Sequence, residues 1–322
     1  MTGPILIIAG PTAVGKSALG MSLARHTGGE IVVADCMQVY RGMDVGTGKP
    51  TRTEREAVPH HLLDICDPAT TFSASEFAVR ARAAVDEIHE RCRLPIIIGG
   101  TGLYLRAFLT GGLAGAGGDP AIRARLNREA EAGGVHVLHE RLRRHDSATA
   151  ERVHAGDRFR IVRALELFEI TGRRPSEIRP GLWDPPRVAI SAFLVLTRER
   201  KELYRLIDER CRRMWEGGLI EEVQRLLQAG CDPAARPLQA LGYRQALACL
   251  QRRLPESDAL ADMLRATRNF AKRQLTWFRR EPAAEWVTVS GWDWVEPLAE
   301  ELCARLASRE GSGGVARARA HG

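Results

Sequence analysis

Residues 10–17 read Gly10-Pro11-Thr12-Ala13-Val14-Gly15-Lys16-Ser17, the pattern G-x-x-x-x-G-K-S. Glycines at that spacing let backbone N–H groups curl round phosphate oxygens, and the helix that follows adds the positive end of its dipole. Lys16 supplies a mobile positive charge, and the Ser17 hydroxyl is placed to ligate Mg²⁺. The motif calls for a phosphate-bearing ligand without making that ligand ATP. A carboxylate, Asp35, closes the next apolar run. Beside a phosphate cradle it can take a proton from an incoming nucleophile, or it can cap the turn that follows. Thr101 stands in Gly99-Gly100-Thr101-Gly102, where its hydroxyl can meet a ligand or close a local turn. A nucleotide hydrolase would place an Asp after an apolar strand to hold Mg²⁺. Here Ile96-Ile97-Ile98 runs into glycines, and the apolar run before Asp64 is too short. A small-molecule kinase, which often keeps an acid after its second strand, stays open.

The elements that must position these groups are strands and helices in alternation. Residues 5–9, 31–34 and 95–98 are continuous apolar runs, as expected of strands covered on both faces. Helical patterns over 16–26 and 75–91 separate them, with Ser73 or Ser75 as N-cap of the latter. Alternation implies a parallel sheet with right-handed crossovers, and ligands gather at the carboxyl ends of such strands. The fold expected is α/β, a P-loop NTPase-like parallel sheet flanked by helices, with an all-helical insertion domain. The glycine-rich stretch 111–118 is the hinge, 119–186 the helical insertion, and 1–118 with 187–300 the catalytic core. A strand is expected over 188–196, then helices over 200–216, 219–229, 242–250 and 258–280, and a last strand over 286–289. Residues 308–322 read as a disordered basic tail.

Apolar residues make up 44% and charged residues 27%, a balance that supports a sizeable core. No apolar stretch nears the roughly 20 residues that span a bilayer. The apolar run at 5–9 reads as a buried strand rather than a signal peptide, so the cytoplasm is the expected compartment. The net charge of +7 and pI of about 9.3 suit a polyanionic partner. Residues 265–280 carry Arg265, Arg268, Lys272, Arg273, Arg279 and Arg280 with no acid, interleaved with Phe270, Trp277 and Phe278. Such a helix can track a phosphate backbone and stack on loosened bases, or it can be a solvated face with its aromatics in the core. The arginines of the insertion are nearly balanced by acids. Seven scattered cysteines with no C-x-x-C pair argue against disulfides and structural zinc. His60, His61 and the histidines of 136–154 lack ligand spacing and read as surface residues.

Three segments together, GPTAVGKS, DCMQVYRGMDVGTGKP from Asp35, and GGTGLYL from Gly99, resemble the bacterial tRNA dimethylallyltransferase (isopentenyltransferase) family. The segments RIVRALE from Arg160 with Thr171-Gly172-Arg173, Gly242-Tyr243-Arg244, and RNFAKRQLTWFR from Arg268 extend the likeness to about residues 3–290. Cys36 stands where the family usually has Ser, and Gly48 where it usually has Ala. The resemblance implies transfer of a dimethylallyl group from dimethylallyl diphosphate to N6 of the adenine just 3′ of the anticodon in tRNA, releasing diphosphate. It implies Asp35 as base, Thr101 as a hydrogen-bond partner of the amine, and Lys16 with the 10–17 amides and Mg²⁺ on the leaving group. Carried over residue by residue, tRNA contacts fall on Asp35, Cys36, Met37, Gln38, Thr101 and Arg123. They continue at Phe159, Arg160, Ile161, Val162 and Arg163, and at Gln239, Ala240, Leu241, Gly242, Tyr243 and Arg244. The partner expected is the anticodon stem-loop, from which the adenine must be swung out at a cost of a few kcal/mol; a monomer is expected. The rivals are a P-loop small-molecule or nucleoside kinase, a prenyltransferase of free adenine nucleotides, and a non-catalytic RNA-binding module.

Overall fold

The computed structural model describes residues 3–111, 118–178 and 185–318, without the side chains of 309–318. The chain runs β1 (Leu6–Ala9), α1 (Lys16–Thr27), β2 (Glu30–Val33), α2 (Arg52–Ala57), β3 (His60–His61), α3 (Ala74–Glu90), β4 (Pro95–Gly99) and α4 (Gly102–Leu109). Five helices follow: α5 (Pro120–Gly133), α6 (Val135–His145), α7 (Ser147–Arg152), α8 (Arg158–Thr171) and α9 (Pro175–Ile178). The chain then forms β5 (Ala192–Thr197), α10 (Arg200–Met214), α11 (Ile220–Gln228), α12 (Tyr243–Leu250), α13 (Glu256–Phe278), β6 (Glu285–Thr288) and α14 (Val295–Ala318).

The six strands form one sheet in the order β3-β2-β4-β1-β5-β6, parallel throughout. β1, β2 and β4 are buried along their whole length, which is why they read as unbroken apolar runs. The helix α3, between β3 and β4, starts where Ser73 caps it, in a reciprocal capping box with Glu76. The chain forms two compact units, one of residues 1–111 with 186–322 and one of 112–185. The second unit has its own core of Leu126, Leu138, Leu142, Ile161 and Leu165. Its arginines are largely paired: Arg125 and Arg141 each meet Glu129 and Glu169, and Arg123 and Arg163 share the fully buried Glu166.

Several expectations need correction. β5 starts at Ala192, four residues after Val188; Val188 is buried, but the ladder begins only once the Ser191 N–H donates to Ile5 O. The break expected between helices at 217–218 stands: within the π-helical turn Trp215–Leu219 the chain kinks at Gly218, which lies in the left-handed region (φ 98°). β3 has two residues, too short to leave a sequence pattern, and it draws His61 onto Glu30 at 2.6 Å. Burial pushes the Glu30 carboxyl up, but bonds from Arg91 and His61 outweigh that and hold it at about 2. His139 is buried and lies 3.0 Å from Ala150 O, so it is a core histidine rather than a surface one. The stretch read as a tail from residue 308 is helical to Ala318, continuing a helix packed at Ala299 and Leu302 in spite of Gly311, Gly313 and Gly314; residues 319–322 of that reading lie outside the described residues. Among the described residues no helix is long and apolar enough to cross a membrane.

Candidate active site

The loops after β1, β2 and β4 meet because those strands are neighbours, and they carry residues 10–17, Asp35 and Thr101. Gly10 (φ 140°), Ala13 (φ 64°) and Gly15 (φ 112°) all have positive φ, a run that turns successive amides toward one concave side. The opening amides of α1 add to it, since a first helical turn has no intrahelical acceptors for them. Lys16 Nζ donates to Pro11 O at 2.7 Å. Burial, then the nearby Arg210 charge, lower the Lys16 ammonium to about 7, with Asp35 pulling the other way. Ser17 is exposed at the start of α1.

Asp35 Oδ1 accepts from the amides of Met37 at 2.8 Å and Gln38 at 3.3 Å. Oδ1 closes the turn, and Oδ2 makes no hydrogen bond among the described residues. Thr101 Oγ1 accepts from the Cys36 amide at 3.1 Å, and Thr101 does not cap α4 with its side chain. The hydroxyl ties the turn after β4 to the one after β2. Burial, then the Asp35 charge, push the Cys36 thiol up to about 11, so this cysteine is a neutral thiol at physiological pH.

Four groups that the sequence did not single out complete the site. Arg210, from α10, donates to Thr47 O at 3.1 Å, the carbonyl that also accepts from Gln38 Nε2 at 3.2 Å. Burial lowers its proton affinity and the Asp35 charge raises it. A Cβ on Gly48 would stand 2.4 Å from Arg210 Nη2, so glycine at this position leaves the guanidinium its place. Glu222, from α11, accepts from the amides of Asp44, Val45 and Gly46 and from the Tyr243 hydroxyl at 2.6 Å, fixing the loop that presents Thr47. Arg198 donates to Val14 O at 3.0 Å and lies 4.8 Å from the Trp292 ring centre, backing the cradle. Gln274 joins the cradle to the Gly100 turn. None of the four stands in a spacing that announces chemistry; Gln274 lay inside a segment read through its basic and aromatic neighbours and its family likeness.

The remaining residues expected at tRNA are divided between the two units. Met37 and Gln38 adjoin Asp35. Tyr243 is 1% exposed with its hydroxyl spent on Glu222, so its side chain can act only through the 44–48 loop. Gly242 is buried, Leu241 and Ala240 are half-buried, and Arg244 and Gln239 are exposed. In the second unit Phe159 is 70% exposed, whereas Ile161 and Val162 are core residues. Arg160 pairs with Asp157, and Arg123 and Arg163 with Glu166. Of the basic run on α13, Arg268 pairs with Asp208 and Arg265 with Asp262, while Lys272 and Arg273 are exposed. Phe270 and Trp277 are half-buried and Phe278 is core.

A cradle of amides and a lysine, an arginine, and an unengaged carboxylate oxygen can together hold a phosphorylated leaving group and accept a proton. The IPP transferase family model matches residues 38–281. The chain is 46% identical to a tRNA dimethylallyltransferase of Syntrophobacter fumaroxidans, over 88% of this chain and 83% of that protein. It is 45% identical to a tRNA dimethylallyltransferase of Thermomicrobium roseum, over 97% of this chain and 94% of the other. Among solved structures it resembles the full-length tRNA isopentenylpyrophosphate transferase of Bacillus halodurans, with a TM-score of 0.69, 35% identity, and coverage of 97% and 99%. It also resembles a eukaryotic dimethylallyltransferase captured acting on tRNA, with a TM-score of 0.73, 26% identity, and coverage of 89% of this chain and 74% of that one.

Proposed function

The chain belongs to the IPP transferase family, and from that premise we propose that it transfers a dimethylallyl group from its diphosphate to N6 of the adenine 3′ of the anticodon in tRNA. The observation that carries the reading is the meeting of the 10–17 cradle, Asp35 and Thr101 at the ends of the adjacent strands β1, β2 and β4. In the transfer a bond forms between N6 and the allylic C1, and the C1–O bond breaks. Its electron pair leaves on the diphosphate oxygen, and the N6 proton goes to Asp35 Oδ2. Preorganised donors aimed at developing charge supply the largest share of such catalysis. Here those donors are the 10–17 amides, Lys16 and Arg210. Thr101 Oγ1, with one lone pair given to the Cys36 amide, offers the other to the amine and orients it.

Ser17 suits Mg²⁺: its exposed hydroxyl is one oxygen ligand, and Mg²⁺ is content with one or two protein oxygens, phosphate and water. When bound, the ion neutralises charge on the diphosphate. The acceptor side lies with Asp35, Met37 and Gln38, and exposed Lys272 and Arg273 of α13 supply charge for the RNA backbone. The helical unit 112–185 serves as a second tRNA-contacting domain, through exposed Phe159 and Arg160.

The reading is tested by supplying labelled dimethylallyl diphosphate together with unmodified tRNA, with AMP, and with ATP as a competitor. Label is expected in tRNA alone. Label in AMP, or transfer of the terminal phosphoryl group of ATP to a small alcohol, would replace the reading with one of its rivals.

A further inference from the structure

Gln274 sits on the face of α13 that also carries Ala271 and Phe278, and all three are buried. Its amide reaches into two loops at once. Oε1 accepts from the Thr12 N–H at 2.9 Å, and Nε2 donates to Gly100 O at 3.0 Å. Thr12 belongs to the cradle after β1 and Gly100 to the turn after β4 that carries Thr101, and these strands are adjacent in the sheet. A carboxamide is the neutral side chain that presents a donor and an acceptor in one rigid plane. Without it, a half-buried cradle amide and a buried turn carbonyl would lose their hydrogen-bond partner. A Cβ on Gly100 would lie 2.2 Å from Nε2, so the turn is bare where the amide enters.

We propose that Gln274 is a positioning residue that holds the donor cradle and the Thr101 turn in one register, so that the allylic carbon and the acceptor nitrogen meet at attack distance. The inference rests on the transferase reading above. Each loop stays attached to its own strand without the bridge, so each substrate still binds. What the bridge sets is the offset between the two, and an offset of about 1 Å costs about a hundredfold in rate.

The full chain carrying Gln274→Met, similar in length but unable to make both hydrogen bonds, is compared with the unsubstituted protein. Single-turnover transfer from dimethylallyl diphosphate to unmodified tRNA is measured at saturation, and binding of inorganic diphosphate and of tRNA is measured separately. The rate is expected to fall about tenfold or more while both dissociation constants stay within about threefold. Gln274→Asn, one methylene too short to span both loops, carries the same expectation should the methionine variant not fold. A rate within about threefold of the unsubstituted protein, or binding lost in step with rate, overturns the inference. The unsubstituted sample keeps the claims apart: if it leaves tRNA unprenylated, the transferase reading falls and takes the inference with it.

Discussion

Burial and the Arg210 charge work against the Lys16 cation and bring it to about 7, against 10.5 for an ordinary lysine. A diphosphate in the cradle favours the cation, so binding above pH 7 must take up a proton. Below pH 7 Lys16 already carries it, and affinity is insensitive to this group. Above pH 7 the affinity for inorganic diphosphate should fall by up to about tenfold per pH unit, relative to a Lys16→Arg variant whose guanidinium does not titrate there. Calorimetry at pH 8 in buffers of different ionisation heat should find proton uptake in the natural protein and less in the arginine variant. Equal uptake would mean that Lys16 is already charged at that pH. At this scale the 10–17 pattern announces a phosphate cradle by its spacing, whereas Asp35 and Thr101 were singled out by their places after apolar runs, and their roles came only from the family resemblance. Arg210 was not singled out, since one arginine among Arg210, Arg212 and Arg213 gives no sign of which one faces the cradle.

The 44–48 loop shows how elements far apart in sequence hold the site. Glu222 collects three loop amides and the Tyr243 hydroxyl, and the loop then offers Thr47 O to Gln38 and Arg210. Tyr243→Phe removes one hydrogen bond and should cost about 1 kcal/mol of stability. Glu222→Ala leaves three amides and a hydroxyl without their acceptor and should cost about 3 kcal/mol or more. Urea unfolding checks both, and equal losses would contradict the shared-acceptor arrangement. This hub could not be read from sequence because the partners Asp44 and Glu222 are 178 residues apart and a lone Glu on a helix looks solvated. The buried strands and their helices were legible because burial on both faces leaves a continuous apolar run. β3 was not, because two residues cannot show a period, whereas the break between α10 and α11 was, because Gly217-Gly218 interrupts the helical pattern and Gly218 does leave the helical region.

Across the whole molecule the 47 lysines and arginines overstate what is available to a polyanion, because many arginines of the second unit, and Arg265 and Arg268 of α13, are spent in ion pairs. Exposed Lys272 and Arg273 are the better candidates for phosphate contacts. Replacing both with Ala should weaken tRNA binding and reduce the slope of log K against log salt by about two, whereas Arg268→Ala should leave the slope nearly unchanged and lower stability instead. An unchanged slope in the double variant would return α13 to a solvated face. That a departing diphosphate is gripped while Asp35 frees the amine is tested most directly with Asp35→Ala, by comparing inorganic diphosphate binding with single-turnover prenylation of tRNA. Transfer should fall by about a hundredfold or more with the diphosphate dissociation constant within about threefold of the natural protein's; binding lost in the same proportion as rate would contradict a proton-accepting role for that carboxylate.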